Sequence, residues 1–190
     1  MCSNMEGSTM DSELERKLRE EIDRAEIWRV MLRYARGLDR IDSALARTCY
    51  WDDCIEDHNQ FVGDPDGFID YANATSRGFL TTQHTISNHY CDLQGDNAYC
   101  ETYFLYVGTL PQPPHFMSSG RYVDHFQKRG GEWRIANRVT IVDATYGLPE
   151  TLVGKGLPPA YEPGEVYPAT RDRNDVSYHR PPIPRQPKGR

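Results

Sequence analysis

At 190 residues the chain is long enough for one domain with its own core plus an appendage. Its formal net charge of −6 leaves no dominant basic surface for nucleic acid or an anionic membrane, and no apolar run of about 18 residues offers a membrane span. Five cysteines without a C-x-x-C read as reduced thiols, and the first residues lack the basic-then-apolar order of a signal peptide, so a cytoplasmic protein is expected.

Residues 1–11 read as a disordered N-terminus. A helix is expected from a cap at Asp11 or Ser12 to about Gly37, with Leu14, Leu18, Ile22, Ile27, Val30, Met31, Tyr34 and Leu38 as its apolar stripe. A second short helix over 42–48 takes Asp42 as its cap, and 49–58 runs from that helix into a short strand. Gly63–Gly67 is a turn, and a third helix follows over 66–79 with Phe68, Ile69, Ala72 and Phe79 inward. After residue 80 the apolar period changes to two. Strands are expected over 82–93 and 97–108, joined at Gly95-Asp96, then over 119–128 and 132–143. Helices followed by antiparallel strands predict an α+β domain with helices on one face of a curved sheet. From 147 on prolines crowd the chain and periodicity is lost, so 147–190 reads as an irregular arm.

Five stretches carry a family resemblance in the right order: 27–42 (IWRVMLRYARGLDRID), 83–88 (QHTISN), 93–98 (LQGDNA), 120–124 (GRYVD) and 131–138 (GEWRIANR). Over about residues 12–146 the chain resembles the SnoaL-like group of the nuclear-transport-factor-2-like superfamily. The resemblance implies a cone, a curved antiparallel sheet wrapped around about three helices with a deep apolar pocket at one end. The superfamily holds dehydratases, a dehydrochlorinase, isomerases, cyclases, an epoxide hydrolase and non-catalytic modules, so fold alone does not fix activity.

His84 is the leading candidate for chemistry. Strand alternation puts His84, Ile86, Asn88 and Tyr90 on one face, and an imidazole there suits a general base. Asp39, just past the expected helix end, would orient the ring and stabilise its cation. Tyr34 would polarise a substrate oxygen. The resemblance places the family's base, its helix-end carboxylate and its helix tyrosine at these positions. It also places an arginine near Arg138, which would stabilise a leaving group or oxyanion. Alternation puts Arg138 on the face opposite Trp133, Ile135 and Val139. Trp51, Asn88, Tyr103 and Tyr122 complete the expected substrate wall. His84 and His89 fall on opposite faces, so no metal site is expected, and no nucleotide-binding or other cofactor motif is present.

These readings converge on a cofactor-independent lyase or isomerase acting on a small, largely apolar cyclic molecule. A ligand-binding or accessory module, such as an oxygenase small subunit, is the alternative. A cyclase or an epoxide hydrolase built on Asp39, Arg40 and Asp42 ranks third. A homodimer or homotrimer is expected from the resemblance. Reach between Asp39 and His84 is the discriminating observation.

Overall fold

The computed structural model describes residues 4–149, 170–182 and 184, with side chains from Ser12 on. The elements run α1 (Asn4–Asp39), α2 (Ser43–Arg47), β1 (Tyr50–His58), β2 (Phe61–Gly63), α3 (Pro65–Ser76), β3 (Thr81–Gln94), β4 (Asn97–Thr109), β5 (His115–Arg129) and β6 (Glu132–Leu148). The expected disorder of 1–11 falls partly on residues 1–3, outside the described ones, while the backbone of 4–11 continues α1. Of the expected arm, 147 and 148 still belong to β6, and 150–169, 183 and 185–190 lie outside the described residues.

The stripe on α1 is buried only from Ile27 onward. Leu14, Leu18 and Ile22 are more than half exposed. Gly37 does not end α1. It lies two residues inside, and a Cβ there would stand 2.8–2.9 Å from Ala46, so its missing side chain lets α2 close on α1. The helix stops beyond it, in a turn where Asp42 N–H donates to the Gly37 carbonyl at 2.8 Å and Ile41 N–H to Leu38 at 3.2 Å. Ile41 takes the left-handed position of this motif at φ 51°, a strained place for a β-branched residue. Asp42 then caps α2, as its residue type predicts.

The helices rest on one curved, open, six-stranded sheet in the order β2-β1-β6-β5-β4-β3. The sheet is mixed rather than wholly antiparallel, because β1 runs parallel to β6. Two of its bulges bear on the site. In β3, Ser87 pairs with Tyr103 and His89 with Thr102, leaving Asn88 as an extra residue. In β6, His125 pairs with Asn137 but Phe126 with Ile135, leaving Ala136 as the extra residue. Each inserted residue reverses the inward–outward parity of the strand beyond it. Gly120 faces its own constraint, since a Cβ would fall 2.1 Å from the Ile141 carbonyl oxygen.

The core gathers Ile27, Val30, Met31, Tyr34 and Leu38 of α1, Phe68 and Ile69 of α3, and Phe104, Tyr122, Phe126, Trp133 and Ile135 of the sheet. The described part of the C-terminal arm folds back on the end of α1. Arg171 donates to the carbonyls of Asp39 (3.1 Å) and Ser76 (2.6 Å), Tyr178 donates to Asp42 at 2.9 Å, and Arg36 stacks on the Tyr178 ring.

Candidate active site

A cavity of about 290 Å3 lies between α1, α3 and the sheet. Its walls are mostly apolar: Leu38, Phe68, Phe79, Phe104, Phe116 and Val142 all contribute. Tyr34, His58, Tyr71, Thr75, Ser76, His84, Tyr106, Ser118 and Tyr122 bring polar groups to it. A size at the low end for ligand sites, with a wall whose surface is mainly apolar, fits a small and largely apolar molecule.

Asp39 and His84 meet in this wall. Asp39 is the last residue of α1, and His84 stands near the start of β3, which packs against that helix end. His84 Nδ1 lies 2.7 Å from Asp39 Oδ1, and the His84 backbone N–H donates to Oδ2 at 2.9 Å. Both side chains are nearly buried, at 10% and 13% exposure. With Nδ1 and the backbone amide both held, the ring cannot turn. Its Nε2 is neither bonded to a described residue nor sealed off. A carboxylate at the C-terminal end of a helix meets the negative end of the helix dipole, which sharpens its demand for a positive neighbour. The imidazole, and Arg171 on the Asp39 carbonyl, answer that demand.

Tyr34 is fully buried beside this pair. Its ring stands 6.3 Å from the His84 ring and 5.4 Å from Tyr122, edge-on to each. Its hydroxyl has no partner among the described residues. Burial holds the Tyr34 phenol well above its ordinary range, with Arg138 opposing, so the group stays neutral and can donate a hydrogen bond.

Arg138 lies beneath the cavity rather than in its wall. The Ala136 bulge turns it inward, on the same side as Trp133 and Ile135, and leaves Val139 outward at 46% exposure. This corrects the expected parity. Its guanidinium makes two bonds to Asp124, at 2.6 and 2.8 Å, with both side chains fully buried. It also sits 4.2 Å from the centres of the Tyr34 and Tyr122 rings. Arg138 thus fixes the floor of the cavity and is not free to meet a substrate.

The expected substrate wall divides. Tyr122 lines the cavity. Asn88 is the bulged residue of β3 and is exposed, and Tyr90 after it is 69% exposed. Tyr103 faces outward at 39% exposure. Trp51 lies away from the cavity, donating to the Gln127 carbonyl at 2.9 Å between the guanidinium groups of Arg129 and Arg134. The hydrolase set does not assemble, since Arg40 pairs with Asp175 and Asp42 caps α2.

Two cavity-side features have no counterpart among the sequence expectations. His58, at the end of β1, lines the cavity with its Nδ1 3.0 Å from Glu56. The Glu-x-His spacing at i and i+2 on a strand was the available signal. Arg171 reaches the site from 132 residues beyond Asp39, and no local pattern marks it. The β3 bulge also brings His89 to the inner side, against the expectation that it opposes His84. There His89, Cys91 and Cys100 bring ligand atoms within 4.8 Å of one another, the group among the described residues that could hold a soft metal ion. The Cys91 thiol is pulled down by the hydrogen bond from Cys100, whose own thiol is pushed up. None of the three lines the cavity.

Comparison with known proteins agrees with this architecture. The type 2 hexachlorocyclohexane dehydrochlorinase LinA superposes with a TM-score of 0.65 at 18% identity, covering 79% of this chain and 99% of the other. A protein provisionally named scytalone dehydratase, from Novosphingobium aromaticivorans, gives 0.62 at 20% identity, covering 68% and 94%. The Kfla4162 protein of Kribbella flavida gives 0.62 at 21%, covering 67% and 95%. At such identities the likeness establishes the fold. No curated protein matches the chain by sequence. No helix among the described residues is long and apolar enough to cross a membrane. Residues 19–139 match the SnoaL-like domain, well over half of the chain, and the protein belongs to that family, within the nuclear-transport-factor-2-like superfamily.

Proposed function

We propose that the protein is a cofactor-independent lyase or isomerase of the dehydratase kind. His84 takes a proton from carbon of a small, largely apolar cyclic substrate, and Asp39 holds the ring and stabilises the imidazolium. The observation that carries the reading is the doubly anchored Asp39–His84 pair, with the free ring nitrogen of His84 in an apolar cavity. Tyr34, a neutral buried phenol, donates to the oxygen on which charge develops. Eliminating water or HX consumes no co-reactant. The dehydrochlorinase and dehydratase named above are eliminating enzymes by their names, which is consistent with this chemistry.

Exposed apolar residues on the outer sheet face, among them Ile55, Val123 and Val139, support a homodimer or homotrimer. The free cysteines fit a cytoplasmic setting.

The test is a screen of cyclic alcohols, halides and enones read by product mass, followed by His84→Ala. That variant is expected to fold normally and lose turnover. A well-folded His84→Ala protein with wild-type activity would sink the mechanism and leave the ligand-binding reading in its place.

A further inference from the structure

A cluster of ligating side chains lies on the inner face of the β3–β4 hairpin, apart from the cavity. His89 and Cys91 stand two residues apart in β3, and Cys100 of β4 pairs with Cys91 across the hairpin. The Asn88 bulge sets this face, turning His89 and Cys91 inward together. A two-residue turn joins Gln94 to Asn97. Counting back from that hydrogen-bonded pair puts Cys91 opposite Cys100, and His89 opposite Thr102, on non-hydrogen-bonded pairs, where facing side chains stand closest. A ring nitrogen of His89 and the two sulfurs all lie within 4.8 Å of one another. Around one ion, with bonds of about 2.0–2.3 Å, such atoms stand roughly 3.5–4 Å apart, so small side-chain rotations close the set.

The histidine is prepared for an ion. Its Nδ1 lies 2.8 Å from Oγ1 of Thr102, a fully buried residue. Trp28 of α1 packs on the ring, with 5.2 Å between ring centres. Nε2 is shut off from solvent and has no hydrogen-bond partner among the described residues. A buried polar atom in that state calls for an occupant. A Cys91–Cys100 disulfide would leave it unpartnered, whereas an ion shared with the two sulfurs satisfies it. Metal-bound histidines are oriented in the same manner, by an outer hydrogen bond at the other ring nitrogen.

We propose that His89, Cys91 and Cys100 bind one Cu(I) ion. Two sulfurs and an imidazole suit a soft ion, and the group has no fourth member among the described residues. Asp124, which pairs with Cys100 from β5, gives both its oxygens to Arg138. Zn2+ in a closed site takes four ligands, while Cu(I) accepts three. Binding releases the two thiol protons, and the complex carries one negative charge. Arg24 of α1 supplies the counter-charge, donating from Nη1 to the Cys91 carbonyl at 2.5 Å. The ion ties the two strands of the hairpin together under α1. It takes no part in the chemistry of the cavity, which none of the three residues lines.

The experiment uses the full chain carrying Cys2→Ser, which removes the thiol that lies outside the described residues. The protein is reduced, kept free of oxygen and titrated with Cu(I) against the chromophoric chelator bathocuproine disulfonate. One equivalent should be withheld from the chelator. X-ray absorption at the copper edge should show two sulfur scatterers and one nitrogen. Cys91→Ser should weaken retention by about 100-fold or more, and Thr102→Val, which removes the bond at Nδ1, by about 10-fold. His89→Gln spares both cysteines and should match Cys91→Ser, so a variant that fails to fold by circular dichroism leaves the other to decide. Loading should raise Tm in the parent protein and not in Cys91→Ser. No copper withheld, or copper withheld equally by folded Cys91→Ser or His89→Gln, overturns the proposal. So does a copper edge that shows sulfur ligands alone.

Discussion

Asp124→Asn tests whether Arg138 is a structural cation. The substitution keeps shape and volume but removes the charge that Arg138 pairs with. In the native site Oδ1 and Oδ2 accept from Nε and Nη2 at 2.6 and 2.8 Å, and neither side chain touches solvent. The asparagine carbonyl can replace one acceptor. Its amide group then points N–H at a guanidinium N–H. Leaving a buried cation without its partner costs roughly 3–5 kcal/mol. Glu56 offers Arg138 some compensation, and the faces of Tyr34 and Tyr122 a little more, so the low end applies. The expected loss is about 3 kcal/mol, or roughly 6–12 °C in Tm for a chain of this size. Arg138→Met is predicted to be worse, because it strands both Asp124 and Glu56. The double variant should cost less than the sum of the two single variants, since no cation then remains to be left unpaired. Urea unfolding followed by tryptophan fluorescence and circular dichroism reads all three. A loss below about 1 kcal/mol in Asp124→Asn would refute the structural role and return Arg138 to the groups free to act on a substrate.

Asp39→Asn should cut turnover by about 1,000-fold or more while changing Tm little, because the amide no longer fixes the His84 tautomer or supports its cation. Activity within tenfold of wild type would show that the carboxylate is not needed. Ile41→Gly should raise stability by about 1 kcal/mol by relieving the left-handed conformation at φ 51°, and chemical denaturation reads it. Stability should also fall in alkali. Burial pushes the Cys54 thiol up to about 12, so the unfolded chain ionises there first. Stability present below about pH 9 is lost as pH rises towards 12, by about 4 kcal/mol from this thiol alone. Cys54→Ala should flatten that slope in urea titrations across the range, and an unchanged slope would count against the assignment.

The helices, the β3–β4 hairpin and the helix-to-sheet order were legible because they rest on local patterns: the periodicity around Ile27–Leu38, the Asp42 cap and the Gly95 turn. Asp39 and His84 were legible as residue types, and their meeting depends on α1 ending where β3 begins. The rest turned on single inserted residues. Asn88 and Ala136 carry no distinctive side chain, yet each reverses its strand. That is why Asn88 and Tyr90 left the cavity, and why Arg138 moved to the inner side. Trp51 and Tyr103 were misplaced for a related reason, as aromatic residues serve the outer face as readily as the inner one. His58 was missed because its strand pairs with a partner far along the chain. Arg171 could not be found at all, since its bonds to Asp39 and Ser76 depend on how the arm returns.

The parallel pairing of β1 with β6 bears on the order of assembly. Glu56 aligns with Arg138, 82 residues later, so the strand bearing His58 finds its register only after the final strand has formed. The β3–β4–β5 meander closes through nearby contacts and should organise first. Closing the longer loop comes late, because its entropy must be met before its contacts form. The two walls of the cavity are thus built at different stages, the His84 side with the meander and the His58 side last. A chain truncated after Arg129 would keep the first wall and have nothing to hold the second.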